Sequence, residues 1–336
     1  MSRAAELVSV LAAADSLIIV CHDNPDPDCL ASALALEAIA AEQDVPDVTI
    51  TYGGDISHQQ NRAFVRMLNV DTQPLAEIEI TSDDVIAFVD HSQPGANTAL
   101  DENTTPEIVV DHHPGPEIDT SFVDVRTDYG STATIFVEYL ADLGIELTER
   151  LASALLFALH RERLDFLRNP TRREYEAALA VFPDADLPLL EQLYGSAFSS
   201  ATIDAIGRAI TSRERRQSSL AASVGKTSET DALSQAADYL LNLEGVDTVL
   251  TFGIVGDVVR LSARSIDPHV NIGTALQAGF DDVGSAGGHH DMAGGRIELG
   301  RLDAVSDTEA IDDELAIVEE RLARRFFDAL GLSDTA

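Results

Sequence analysis

Short apolar runs that end on Asp or His mark the first half of the chain. The run over residues 17–21, within SLIIVC, stops at His22; DVIAFV over 84–89 stops at Asp90; EIVV over 107–110 stops at Asp111. Runs of this length, rich in β-branched residues, predict strands buried on both faces. Residues 47–52 and 121–125 (SFVDV) read as two further strands. Apolar positions recur at helical spacing over about 29–42, 58–68, 131–143, 148–160 and 172–182, and the first residues, MSRAAELVSVLAAADSL, predict an amphipathic helix. Strands alternating with helices need crossover connections, hence a parallel sheet covered on both faces.

From about 186 to 217 the pattern is helical and polar and includes the basic stretch SRERRQ, which reads as a connector. VDTVLTFGIVGDVVRLSARS then predicts a β-hairpin turning at Val255, Gly256 and Asp257. A helix near 270–279, the glycine-rich loop GSAGGHHDMAGG, the strand RIELG and an amphipathic helix near 308–330 complete the chain. The fold class is α/β. The domains are 1–188 with the parallel sheet, a helical linker over 189–217, and a smaller α/β unit over 218–336.

A length of 336 residues suits two domains, and a hydrophobic share of 45% suffices for real cores. No apolar run approaches the roughly 20 residues that span a bilayer, and the charged N-terminal segment does not read as a signal peptide. A cytoplasmic protein without membrane partners is expected, with Cys21 and Cys29 reduced. The 58 acidic against 22 basic residues leave a net charge of −36, which in dilute buffer disfavours a polyanionic substrate. The acids spread over the whole chain, as in proteins adapted to molar salt, where a Debye length of about 3 Å screens that repulsion. The charge therefore reports on the solvent more than on the ligand.

The candidate chemistry sits where the strands stop. His22-Asp23-Asn24-Pro25-Asp26-Pro27-Asp28 places His22, Asp26 and Asp28 between a strand end and a helix start, with two prolines holding the loop extended. Asp90-His91 and Asp111-His112-His113 follow two further strands. In open α/β sheets, ligands bind outside the carboxyl ends of the strands. Carboxylates gathered at one sheet edge repel each other unless a cation neutralises them. Oxygen-rich ligands with one or two histidines suit Mn²⁺ or Mg²⁺, and so many ligands exceed what one open catalytic metal uses. In the late loop, glycines let backbone N–H groups approach an anion, a helix N-terminus would add a favourable dipole, and Arg264 would give a bidentate phosphate contact.

These residues resemble the DHH phosphoesterase family with its associated C-terminal domain. The likeness rests on HDNPDPDCLASALAL, VDH, VDHHP, the Ser-Thr-Ala segment TDYGSTATIFVEYL and AGGHHDMAGG, in order, over about residues 15–300. It implies two Mn²⁺ ions, one held by His22, Asp26 and Asp90 and the other by Asp28, Asp90 and His112, with Asp90 bridging. It implies that Asp111 orients a ligand, that His113 faces the reacting phosphate, and that Arg264, Gly287, Gly288 and His289 hold phosphate and sugar as the C-terminal domain closes over the cleft. One departure stands out. The family's Gly-Ile-x-x-Asp-Thr pattern meets ALHRERLDFLRNPT, with Arg163 on the Asp position and Leu164 on the Thr, so Asp165 is the metal ligand only if the loop shifts. His160 reads as a helix-face residue.

The resemblance implies hydrolysis of a short oligonucleotide or a small nucleotide, as in the nanoRNase and 3′-phosphoadenosine-5′-phosphate phosphatase branch. RecJ-type single-strand exonucleases and cyclic-dinucleotide phosphodiesterases are the alternatives within the family. A non-catalytic nucleotide-binding or regulatory protein is the reading that the Arg163 position motivates, and a subunit of a larger nuclease complex is a third. A homodimer is the assembly left open.

Overall fold

The structure is a computed structural model that describes residues 2–332, apart from 96, 99, 102, 117, 164, 168, 169, 197, 300–310 and the side chains of 311–317. The chain divides into two units, Met1–Ala197 and Phe198–Ala336.

In the first unit β1 (Ser16–Cys21) is central, and all its residues but Ser16 are buried. All strands are parallel, in the order β3 (Thr72–Pro74), β2 (Asp47–Tyr52), β1, β4 (Val85–Val89), β5 (Ile108–Asp111), β6 (Phe122–Val125). The chain fills one side of β1 and then crosses to the other. The carboxyl ends of β1 and β4 therefore flank the switch point, where such sheets leave a crevice.

Asp26 caps α2 (Pro27–Ala41), with Pro27 in the first turn where a missing N–H costs nothing. This helix is buried almost all round because alanines let its neighbours approach. It packs on β1 and β4 and against α4 (Thr132–Leu143) and α5 (Glu149–Glu162). Truncating Leu30 or Leu36 to Ala there costs about 2–5 kcal/mol. α1 (Arg3–Leu11), α3 (Gln59–Met67) and α6 (Arg172–Val181) add to the same core. The opposite face, Ile18, Val20, Ile86, Phe88 and Val109, is covered by Ile78, Ile80, Leu100 and Ile118 from the connecting loops. The sheet is covered on both faces, as expected: the α-helices pack on one, and the other is covered by side chains of the connecting segments, in which no α-helix lies among the described residues.

The second unit has its own sheet, β11 (Ser285–Gly288), β12 (Met292–Glu298), β10 (Val258–Ser265), β9 (Thr248–Val255), β8 (Ser219–Thr227), β7 (Glu214–Arg216), antiparallel except for β8 with β9. α10 (Ile272–Phe280) and α11 (Ile311–Ala329) pack on one face, and α8 (Ser200–Ser212) and α9 (Asp231–Leu241) on the other. The β9–β10 hairpin turns at Gly256 and Asp257 as expected, with Gly256 at φ +62°.

Residues 189–217, expected as one connector, are divided between the units. α7 (Leu187–Gly195) buries Leu190 and Leu193 and contacts α3 and α5, α8 buries Ala205, Ile206 and Ala209, and SRERRQ leads into β7. The glycine-rich loop is also corrected: most of residues 285–298 form the β11–β12 hairpin, of which only the end, within RIELG, was expected as a strand, and Ile297 is its one β-branched residue. β8 and α9 were not anticipated. The end of RIELG and the start of the last helix fall outside the described residues. No helix among the described residues is long and apolar enough to cross a membrane.

Candidate functional site

Loop geometry brings the strand-end residues together. Asp26 Oδ1 accepts the Asp28 and Cys29 N–H groups at 2.9 and 3.1 Å, which turns the chain into α2 and carries Asp28 inward. Asp28 is buried, and its carboxylate accepts the Thr132 and Ala133 N–H groups at 2.9 and 2.8 Å. These are the first N–H groups of α4, so the helix terminus holds a negative charge in place. Thr132 also donates its hydroxyl to Asp90 at 2.8 Å. Asp90 stands just past β4 at φ +62°, a left-handed conformation that Asp tolerates and that folds retain chiefly at sites of use. The Ser-Thr-Ala segment thus has a physical role that the sequence did not disclose: it fixes two acids.

Around Asp90 the ligand atoms converge. His22 Nε2 lies 3.7 Å from Asp90 and 4.0 Å from Asp26; His112 Nε2 lies 3.6 Å from Asp90 and 3.8 Å from Asp28. These separations exceed a hydrogen bond and suit atoms that each sit about 2.1 Å from a shared cation. The Nδ1 atoms of both rings lie against carbonyls, of Asp23 at 2.9 Å and Tyr129 at 3.3 Å, which turns Nε2 toward the acids. His112 Nε2 is buried with no hydrogen-bond partner. An orphaned imidazole nitrogen between two carboxylates fits a divalent metal. Cys29 lies in the same cluster, but its thiol donates to the Val89 carbonyl, and burial, then the neighbouring Cys21, pushes it well above its ordinary range. It packs as a protonated thiol, and both cysteines are free and buried.

The protein groups alone do not balance. Asp28 is pushed well above the carboxylate range, by burial first and then by Asp90 and Glu162. Glu162 is pushed up to about 7, by burial and then by Asp26 and Asp90. Burial opposes a charge on His22, but Asp90 and Asp26 outweigh it and raise the ring to about 10. Burial lowers His112 and keeps it neutral. A cluster that takes up protons to relieve its own charge is one that a divalent cation would relieve further.

Asp111 is fully buried and accepts both the His113 N–H at 3.0 Å and its ring Nδ1 at 2.9 Å. That contact raises His113 to about 9 against burial and holds a cationic ring 3.8 Å from Asp90. The residue that Asp111 orients is therefore His113. A cavity of about 360 Å³ opens over these groups, lined by His22, Asp26, Asp90, Asp111, His113 and Glu162. His91 lines it too, its ring stacked on Phe88 and kept neutral by burial.

Asp165 is not part of this group. It pairs with His160 at 3.1 Å and accepts the Tyr194 hydroxyl at 2.7 Å. Glu162 takes the place expected of it. Glu162 lines the cavity beside Asp26 and Asp90, one residue before the Arg163 that the simplest alignment sets on the Asp position. A Glu there is one methylene longer than an Asp. Arg163 reaches the Tyr129 carbonyl at 3.4 Å, and Leu164 lies outside the described residues.

In the second unit Arg264 sits opposite Met292 and donates to Asp238 at 2.8 Å. Gly287 and Gly288 are in β11; a Cβ at Gly288 would lie 2.4 Å from the Met292 carbonyl, so only Gly fits. His289 is exposed at the hairpin turn. The carbonyls of His289 and His290 accept the Gly273 and Ile272 N–H groups at 3.0 Å, and Asn271 caps Thr274. The helix terminus expected to face an anion is therefore occupied by the hairpin itself.

Residues 16–159 match the model of the DHH family, N-terminal domain, and residues 217–323 match that of the DHHA1 domain. An uncharacterized protein of Methanocaldococcus jannaschii is 34% identical over 319 residues, 95% of this chain and 65% of that protein. The cyclic-di-AMP phosphodiesterase PdeA of Listeria monocytogenes is 25% identical over 288 residues, 77% of this chain and 42% of that protein. A probable manganese-dependent inorganic pyrophosphatase of Listeria innocua is 27% identical over 190 residues, 54% of this chain and 59% of that protein. The chain thus spans less than two thirds of each of these relatives. An exopolyphosphatase-related protein from Bacteroides fragilis shares the fold, with a TM-score of 0.71 at 15% identity, covering 98% of this chain and 97% of that one.

Proposed function

We propose, from the premise that this chain belongs to the DHH family, that it is a divalent-metal phosphoesterase acting on short oligonucleotides or small nucleotides such as 3′-phosphoadenosine-5′-phosphate. The observation that supports it most is the partnerless His112 Nε2 held between Asp28 and Asp90 at the switch point of the sheet. Mn²⁺ is the expected ion, with Mg²⁺ as the substitute. His22, Asp26 and Asp90 would hold one ion, and Asp28, Asp90 and His112 a second, with Asp90 shared and Glu162 in the place first given to Asp165. Bound there, divalent cations supply charge neutralisation at the phosphoryl oxygens and a lowered pKa for water.

The chain's own residues do the rest. Thr132 and the α4 N–H groups fix Asp90 and Asp28, so the ligand set is formed before substrate arrives. His113, kept cationic by Asp111, offers its ring to a phosphoryl oxygen or to the leaving oxygen as charge builds there. Asp111 is a positioning residue, because it acts through His113. In the second unit Arg264, Gly287, Gly288 and His289 are the residues assigned to hold substrate, and Arg264 is already oriented by Asp238.

The test is a substrate panel with the full chain, with and without Mn²⁺, across salt up to molar. It includes dinucleotides, longer RNA and DNA, 3′-phosphoadenosine-5′-phosphate, cyclic dinucleotides and pyrophosphate. Mn²⁺-dependent turnover of the short substrates is expected, and Asp90→Ala abolishes it with the melting transition retained. Binding of nucleotides with no turnover under any of these conditions overturns the reading.

A further inference from the structure

The second unit holds a cavity of about 580 Å³ between α9 and the open part of its sheet face. Its charges are unusual for this chain. Arg260 on β10 and Arg296 on β12 are register partners in the antiparallel pair, and both line the cavity. Like charges directly opposite each other destabilise a sheet. Here they meet in a chain with 22 basic residues against 58 acidic ones. Arg260 Nε is buried and has no hydrogen-bond partner, while Arg296 donates to Glu298 at 2.8 Å, a pair that is about half exposed. Asp231 is the carboxylate that lines the cavity beside them.

The floor is bare for no folding reason. A Cβ at Gly287 would meet nothing within 4 Å, and one at Gly294 only the Leu261 carbonyl at 3.6 Å, an ordinary contact. Neither glycine has a positive φ. Side chains would fit both positions, and their absence keeps the space open. Hydroxyls of Ser234, Ser262 and Ser285 stand around it. Two guanidiniums over an uncovered glycine floor, ringed by hydroxyls, match a phosphate with a flat ring beside it.

We propose that this cavity is a phosphate site of its own, in which Arg260 and Arg296 hold a nucleotide phosphate beyond the one assigned to Arg264. Arg260 and Arg264 are four residues apart on one strand, about 13 Å between their Cα atoms, a span that two phosphates of one extended ligand can bridge. The preferred ligand is then an oligonucleotide of several phosphates rather than a mononucleotide. That substrate class rests on the phosphoesterase reading; the anion site does not.

The experiment titrates the full chain in EDTA, which prevents turnover, with a 5′-fluorescein RNA trinucleotide, and with 3′-phosphoadenosine-5′-phosphate as competitor. The variant Arg260→Gln/Arg296→Gln should weaken the trinucleotide tenfold or more and leave the competitor unchanged. The slope of log affinity on log salt should flatten by about 1.4, from two phosphate contacts at about 0.7 each. Gly294→Ala, whose Cβ would meet only the Leu261 carbonyl at 3.6 Å and would narrow the cavity floor, should weaken the trinucleotide in the same direction. Unchanged trinucleotide affinity and slope in both variants overturns the proposal, and so does an equal loss for trinucleotide and competitor. A wild-type chain that binds the trinucleotide with the steeper slope, yet hydrolyses nothing in Mn²⁺, leaves this site standing and removes the phosphoesterase reading alone.

Discussion

The two units solve opposite electrostatic problems. In the first, Asp26, Asp28, Asp90, Asp111 and Glu162 crowd one end of a parallel sheet, and the backbone over-determines where they point. In the second, Arg260 and Arg296 border an empty, glycine-floored space, and Arg260 Nε is held by nothing. A cation site needs short side chains in fixed positions, because the metal tolerates little error in distance. An anion site built from arginine does not, because a long side chain adjusts to a ligand whose phosphate is itself mobile. The difference teaches that rigidity and emptiness can both be signs of function in one chain.

The largest effect should come from breaking the first unit's ligand set. Asp28→Asn keeps the shape and removes the charge, so Mn²⁺-dependent turnover should fall by more than about 100-fold with the melting temperature held or raised, since losing a carboxylate that would touch the metal costs more than the 10–100-fold typical of groups that only orient its ligands. Steady-state kinetics and thermal melts check it. A change in KM alone would place Asp28 outside the metal set.

The next effect separates charge from packing. Glu162 lies at about 7 in the fold, above its ordinary 4.5, so the folded state favours its protonated form. A raised carboxyl contributes stability at low pH that is lost as pH rises from about 4.5 through 7. In EDTA, Glu162→Gln should therefore raise the melting temperature at pH 8 and change it little at pH 5. Added Mn²⁺ should reverse the order at pH 8, because the wild-type carboxylate then has a partner. Equal melts at both pH values would take Glu162 out of the cluster.

The smallest effect tests the support around Asp90. Thr132→Val removes one buried hydrogen bond, a cost of about 1 kcal/mol, with a loss of activity of about tenfold as Asp90 loosens. Thr132→Ser should restore both in denaturant melts and kinetics. Full activity in the valine variant would mean that the α4 N–H groups suffice to hold the site.

Much of this was legible along the chain. Runs ending in His22, Asp90 and Asp111 marked the strand ends, and every strand predicted in the first unit was found within a residue or two at its ends. That works because a strand buried on both faces must be apolar throughout, and a ligand must sit where burial stops. The misses share another cause. Residues 285–295 carry glycine and alanine where strands carry β-branched residues, so the β11–β12 hairpin showed in the sequence only at its end, in RIELG. Glu162 was not singled out because a pattern gives identities without depth: Glu162, Arg163 and Asp165 are equally polar in sequence, and only packing puts the first against Asp26 and Asp90.

By itself, the sequence determined the element types of the first unit's main strands and helices, the parallel sheet implied by alternating runs, and the acids and imidazoles available for metal, since burial and chirality constrain those locally. Tertiary structure alone decided that β1 and β4 are neighbours, that α4 donates its first N–H groups to Asp28, and that Arg260 faces Arg296. Those facts join residues far apart in the chain, and no local pattern records a pairing between segments.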